Sequence, residues 1–211
     1  MKIIVVESAL ASKSAAVYNK NGDNALDIQK ECPRVWFKAD SALLTHGKPV
    51  FVPEFTKQLS AAPYLALRIC RMGKSIPARF AYRYYDAASV AVDFTAQDVL
   101  RELRAKGEPW DMAKSFDGSV CIGREIACAS LTAGRELTLT LLVDGEPSST
   151  TVISDLAALA GRAIEQISRF FTLRQGDWLL IGKPDCTPLV KIGSHIAGTL
   201  EGEALTEFNI K

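Results

Sequence analysis

Asp93 is the only charge in an apolar run, VAVDF at 90–94, and Lys114 follows one short helical stretch later. A carboxylate at the end of a buried strand and a lysine just after the next helix can meet in one pocket. Such a pair is a candidate site, with the acid held by the ammonium. Taken alone, each residue also has a plainer reading. Asp93 can be a strand-end acid hydrogen-bonded to the N-terminus of the following helix, and Lys114 a surface lysine ahead of a turn.

The elements that must position them are legible around the pair. Thr95 with Asp98 three residues on is an arrangement that opens a helix: the hydroxyl accepts from a free backbone N–H and the acid favours the positive helix end. Val99, Leu100 and Leu103 supply a short apolar face, and Gly107 stands where a left-handed cap is wanted. Glu108, Pro109 and Trp110 begin a loop, and Phe116-Asp117-Gly118 reads as a turn.

Elsewhere, residues 1–6 read as a first strand, 8–22 as a short helix ending in an Asn-Gly turn, and 35–37 and 50–52 as short strands. Residues 64–70 read as a central strand whose odd member, Arg68, faces solvent or an ion-pair partner. LTLTLLV at 137–143, followed by Asp144-Gly145, alternates cleanly and predicts a hairpin. Ser154 can cap a helix whose face is Leu156, Leu159, Ala160, Ala163, Ile164, Ile167 and Phe171. Residues 178–181 form the next strand, and short strands around Val190 and Phe208 close the chain. Many short strands with few helices predict an α+β, mainly β domain.

The 211 residues carry 25 basic and 24 acidic side chains, a net charge of +1, so global charge draws the chain to neither nucleic acid nor membrane. No segment approaches the roughly 18 uninterrupted apolar residues of a membrane helix. The first strand is too short for a signal peptide, and a cytoplasmic protein is expected. Five cysteines, Cys121 and Cys186 among them, match no zinc spacing and read as reduced thiols.

DFTAQD at 93–98 and GEPWDMAKSFDGS at 107–119 resemble the signature block of the fumarylacetoacetate hydrolase family, roughly D-x-T-A-R-D and then G-x-P-W-x-x-A-K-x-F-D. KADSALL at 38–44, GKPVFVP at 47–53, FTLRQGD at 171–177, GKP at 182–184, PLVKIG at 188–193 and LEGE at 200–203 resemble further segments of that family in order. The resemblance implies a mixed β-sandwich roll with a few short helices, in which residues 1–54 form a small N-terminal segment packed on a catalytic-type domain at 55–211. It implies a homodimer. It assigns the aromatic and charged run at 82–86 to a structural helix and loop rather than to nucleotide stacking.

Activity is where the resemblance breaks. The family holds magnesium or manganese through two glutamates and an aspartate and acts on acylpyruvates and related oxo acids. Its two glutamate positions fall here on Ala62 and Tyr64, no acid lies between Phe55 and Ala81, and only Asp93 remains. The family's early histidine falls near Lys13, and the threonine of its G-T-P loop is Lys183, which by itself reads as a solvated loop charge. The expectation is a member without the metal chemistry and with no cofactor, whose site is Asp93, Lys114 and Lys183 with Gly182 and Pro184 beside them. An ammonium from Lys183 or Lys114 should stand by Asp93, and the ligand should be a small anionic oxo acid. The alternative is a working hydrolase, isomerase or decarboxylase that uses magnesium or manganese.

Overall fold

In a computed structural model of the chain, residues 1–7, 34–44, 47–131, 136–182, 184 and 186–211 are described. The predicted helix and turn at 8–22, Lys13, Cys32 and Lys183 lie outside them. Two sheets carry the structure, as the α+β, mainly β reading requires. The larger follows the strand order β2 (Arg34–Lys38), β1 (Ile3–Glu7), β10 (Trp178–Gly182), β4 (Leu59–Ile69), β5 (Tyr85–Ala96), β6 (Val120–Ile122), β3 (Leu43–Leu44), with β7 (Ile126–Ala127) pairing β5 off that path. The smaller runs β12 (Glu203–Asn209), β11 (His195–Leu200), β8 (Leu137–Val143), β9 (Glu146–Ile153).

Strand order and chain length together force the large sheet to curl. Lys38 ends β2 and Leu43 begins β3, yet these strands sit at opposite ends of the order. Five residues span about 18 Å at most. Six strand spacings in a flat sheet would need roughly 29 Å. The sheet therefore rolls until its two ends approach, which carries the end of β2 over towards β5 and β6.

Period-two alternation then divides the strands between two faces. Ile4, Val6, Leu65, Leu67, Val90, Leu179 and Ile181 pack with Leu159, Ile164 and Ile167 of the long helix and with Leu139 and Leu205 of the smaller sheet. Burying each large aliphatic side chain there contributes roughly 1.5–3 kcal/mol before the entropy of ordering it. The opposite face carries Ile3, Val5, Trp36, Ala62, Tyr64, Ala91, Val120 and Leu180. Asp93, two residues beyond Ala91 on β5, belongs to this second face.

The helices are α1 (Gln97–Lys106), the single turn α2 (Asp111–Lys114) and α3 (Leu156–Phe170). Gly107 ends α1 at φ 67°, as its position requires, and the Glu108 N–H donates to the Leu103 carbonyl at 2.9 Å. Neither predicted N-cap holds. α1 opens behind Ala96 without a capping side chain, and the Asp98 carboxylate instead receives Thr56 Oγ1 at 2.5 Å and the Lys57 N–H at 2.8 Å. α3 is capped by Asp155, one residue past Ser154, whose carboxylate accepts from the Ala158 N–H at 3.0 Å. Leu159, Ala160, Ala163, Ile164 and Ile167 are the buried face of α3, whereas Phe171 lies at its exposed end and packs edge-on against Phe37. Among the described residues, no helix is long and apolar enough to cross a membrane.

The hairpin turns at Asp144 and Gly145, both at positive φ as a type I′ turn demands. Residues 50–52 do not form a strand. Val50 makes one bridge to Ile210, because the chain there only brushes the end of the smaller sheet. Val190 is likewise outside any strand, and β11 begins five residues later. Arg68 is ion-paired with Asp86 at 3.1 Å and Glu125 at 2.5 Å.

The two sheets meet so closely at Gly123 that any larger residue must displace backbone. A Cβ there would lie 2.3 Å from the Leu205 carbonyl oxygen. Gly123→Ala is expected to lower unfolding stability by about 1–3 kcal/mol in urea titration, the range for forcing a methyl into packed backbone.

Candidate functional site

The cavity on the second face is built from neighbouring strands that part. β10 stays paired with β4 only as far as Ile181 opposite Leu65, and the chain rejoins β4 where the Ala61 N–H donates to the Pro188 carbonyl at 3.0 Å. Beside this parting lies a cavity of about 310 Å³ whose walls include Ala62, Tyr64, Thr95, Lys114, Trp36 and Trp110. Its mouth is basic, with Arg34 and Arg104, and Glu7 sits on the same wall. Ala62 pairs directly with Asp93, and Tyr64 with Ala91, so residues 62, 64 and 93 share one face.

Asp93 is 1% exposed and has two cations. Lys38 Nζ lies 2.5 Å from Oδ1, and Lys114 Nζ lies 3.7 Å from Oδ2. Neither carboxylate oxygen receives a well-directed hydrogen bond among the described groups, so the two ammonium groups are what offset its charge. Lys38 is itself enclosed. Its ammonium also donates to the Ser119 carbonyl at 2.8 Å, to Ser119 Oγ at 3.0 Å and to the Lys114 carbonyl, with the Phe94 carbonyl at 3.4 Å. An ammonium has three protons to give, and this cage takes all of them. Burial pulls the Lys38 pKa below the ordinary lysine range, Asp93 opposes that shift, and Lys114 adds to it.

Lys114 is the cation that can reach a ligand. It stands on the cavity wall, donates to Thr95 Oγ1 at 3.1 Å and lies 4.0 Å above the centre of the Trp36 ring. The Thr95 hydroxyl that was expected to cap α1 therefore serves this lysine. Burial raises the Tyr64 phenol far above its usual range, with the Asp93 and Glu7 charges adding to the effect, so it remains a neutral O–H at the cavity floor.

Of the residues picked out by sequence, Asp93 and Lys114 come together, Gly182 ends β10 beside Tyr64, and Lys183 lies outside the described residues. A Cβ on Gly182 would touch the Tyr64 ring at 3.1 Å, so the strand and the ring are in close contact. Lys38 was missed. Its one signal was its place at the head of KADSALL, a lysine following the apolar VWF. Cys121 is buried on the other face, with its sulfur 3.4 Å from Thr206 Oγ1, and burial raises its thiol pKa; burial likewise pushes the Cys128 thiol up, to about 11. Neither behaves as a reactive thiolate.

Larger hollows exist but have no share in this arrangement. One of about 500 Å³ runs along β12, where His195 and Arg124 are already paired with Glu207 and Glu203. Another, of about 590 Å³, is an apolar depression beside Phe55, Met112 and Phe116.

Comparison with known proteins fits this geometry. The sequence profile of the fumarylacetoacetate (FAA) hydrolase C-terminal family matches residues 2–208. The chain belongs to the fumarylacetoacetate hydrolase family. It is 30% identical over 199 residues to the mitochondrial oxaloacetate tautomerase of Arabidopsis thaliana, covering 94% of this chain and 88% of that one. The mouse counterpart, from Mus musculus, is 28% identical over 179 residues, 85% of this chain and 81% of its own. The fold is shared with a fumarylpyruvate hydrolase from Pseudomonas aeruginosa, solved with Mn²⁺ and pyruvate, at a TM-score of 0.82 and 24% identity, with 100% of this chain and 89% of that chain covered.

Magnesium and manganese are hard ions that want several oxygen ligands in near-octahedral array. Residues 62 and 64, where the sequence resemblance places the family's glutamates, share Asp93's face and hold a methyl group and a phenol. Among the described residues, no three His, Cys, Asp or Glu side chains gather in a way that could hold a metal ion. Both oxygens of Asp93 already face ammonium groups. The described residues do not fit the ion.

Proposed function

We propose that this protein is a fumarylacetoacetate hydrolase family member that binds a small anionic oxo acid without a divalent cation and has lost the metal-dependent chemistry of its relatives. The observation that carries this reading is the balance around Asp93. Two lysine ammoniums stand beside one buried carboxylate, and its neighbours on the same face of β4, residues 62 and 64, carry no acid. A dication placed there would meet two positive charges and one negative group, which opposes binding at short range. The residues do support an anion. Lys114 presents an ammonium to the cavity, Arg104 adds positive charge on its wall, and Gln97 and Thr187 offer polar contacts there.

A working enzyme on oxo acids is the second reading. What favours it is Lys114, a cation on the cavity wall positioned to stabilise a developing enolate. The family's oxaloacetate tautomerases make oxaloacetate the first substrate to try.

Thermal unfolding with added metal separates the two. The melting temperature is expected to stay unchanged with Mg²⁺ or Mn²⁺ up to millimolar concentration, and to rise with an oxo acid in the presence of EDTA. Assays with oxaloacetate, acetylpyruvate and fumarylpyruvate should show no metal-dependent turnover. A clear rise with sub-millimolar Mn²⁺, together with metal-dependent turnover, would overturn the proposal in favour of the second reading.

A further inference from the structure

We infer that the ligand of this cavity is a monocarboxylic oxo acid carrying an aromatic ring; this rests on the reading of the cavity as a metal-free anion site. The first observation is the wall itself. Trp36 packs edge-on against Tyr64 at 6.3 Å and against Trp110 at 6.2 Å, and all three rings line the cavity. With Tyr64 and Ala62 where the family places carboxylates, the floor offers hydrocarbon and ring surface. A bare oxo acid such as pyruvate has only a methyl group to set against it. A ligand ring buries apolar area there and meets the wall rings in the edge-on or offset arrangements that aromatic pairs prefer.

The second observation is independent of the first. The indole Nε1 of Trp36 is buried and has no hydrogen-bond partner among the described residues. Buried indole N–H groups are normally satisfied, and an exception calls for a group that completes it. An oxygen of the bound oxo acid is the acceptor this donor lacks, with Lys114 holding the same end of the ligand from above the Trp36 ring.

The third observation limits the charge. Glu7 lies on the cavity wall and pairs with Arg34 at 3.3 Å. Its carboxylate neutralises one of the two arginines at the mouth and repels a second acid group on the ligand. One carboxylate at Lys114, one ring among the tryptophans and no second acid describe an arylpyruvate. A volume of about 310 Å³ admits a single ring with a three-carbon acid chain.

Titration calorimetry of the intact protein in EDTA, with phenylpyruvate, pyruvate and oxaloacetate as probes, tests this. Phenylpyruvate is expected to bind at least about tenfold more tightly than either of the others, the scale expected from burying several ring carbons. Trp36→Phe keeps a ring and removes the N–H, and should weaken phenylpyruvate roughly tenfold, as loss of a hydrogen bond to a charged group does. If that variant does not fold, as judged by circular dichroism, Trp110→Ala at the half-buried edge replaces it, and it should weaken phenylpyruvate while leaving pyruvate unchanged. Pyruvate or oxaloacetate binding as tightly as phenylpyruvate in EDTA overturns this inference and leaves the metal-free anion site standing. Binding of any oxo acid only after Mn²⁺ is added overturns the anion site itself, and this inference with it. An unchanged phenylpyruvate affinity in the folded Trp36→Phe protein likewise overturns this inference.

Discussion

Lys38→Met is expected to cost about 3–5 kcal/mol of unfolding stability, the range for removing one partner of a buried ion pair. Methionine fills nearly the same space, so packing changes little and the loss is electrostatic. Asp93, 1% exposed, would retain only Lys114 at 3.7 Å, and the carbonyls of Ser119, Lys114 and Phe94 would lose their shared donor. Urea titration of the single variant measures the cost. Asp93→Asn in the Lys38→Met background should recover a substantial part of it, because the stranded charge is then gone. A single-variant loss below about 1 kcal/mol would mean that Asp93 is not held by this lysine.

The pH response of the same pair has a definite sign. The unfolded chain keeps the Lys38 proton up to its ordinary value of 10.5, whereas burial makes the folded protein release it sooner. In the alkaline window below 10.5, the unfolded state therefore binds more protons, and this group makes stability rise with pH. That contribution should be absent from the Lys38→Met protein, which comparison of urea midpoints across the window would show.

The largest effect on metal binding is expected from restoring acids to the second face. Ala62→Glu with Tyr64→Glu sets two carboxylates beside Asp93, since Ala62 pairs directly with it and position 64 lies two residues along the same face. In EDTA this variant should be less stable than the parent by several kcal/mol, because like charges are gathered in a buried place. Mn²⁺ should return much of that loss. At a free concentration one hundred times the dissociation constant, binding to the folded state alone contributes about 2.7 kcal/mol. The parent should not respond. A variant equally indifferent to Mn²⁺ would show that this face cannot assemble an ion cage even when supplied with carboxylates. The metal-free reading would then need a cause other than the missing glutamates.

What could be read from the sequence was what depends on neighbours along the chain or across one ladder. Alternation over 137–143 gave a hairpin because side chains on a strand must face opposite ways, and Asp-Gly tolerates the positive φ of its turn. Gly107 ended α1 for the same local reason. The caps were misread because several polar groups compete at a helix start. Thr95 is taken by Lys114, and Asp155 outcompetes Ser154 by one position. Residues 50–52 and Val190 have strand-like composition and each meets a neighbouring segment, Val50 at Ile210 and Val190 at Leu59, but the pairing stops there, and composition cannot set its length.

Asp93, Lys114, Ala62 and Tyr64 were visible because all four sit on β4, β5 or the segment that directly follows β5. The match of those residues to a family pattern was enough to group them. Lys38 was invisible by the same logic. Its strand lies at the far end of the sheet order from β3, and nothing local to it signals a buried carboxylate 55 residues away in sequence. Only closure of the roll brings them together, because a five-residue link between the two ends leaves the sheet no flat alternative. The chain's own pattern thus determined most of the strands, their faces and the buried acid at position 93. The tertiary curl alone decided which cation that acid would meet.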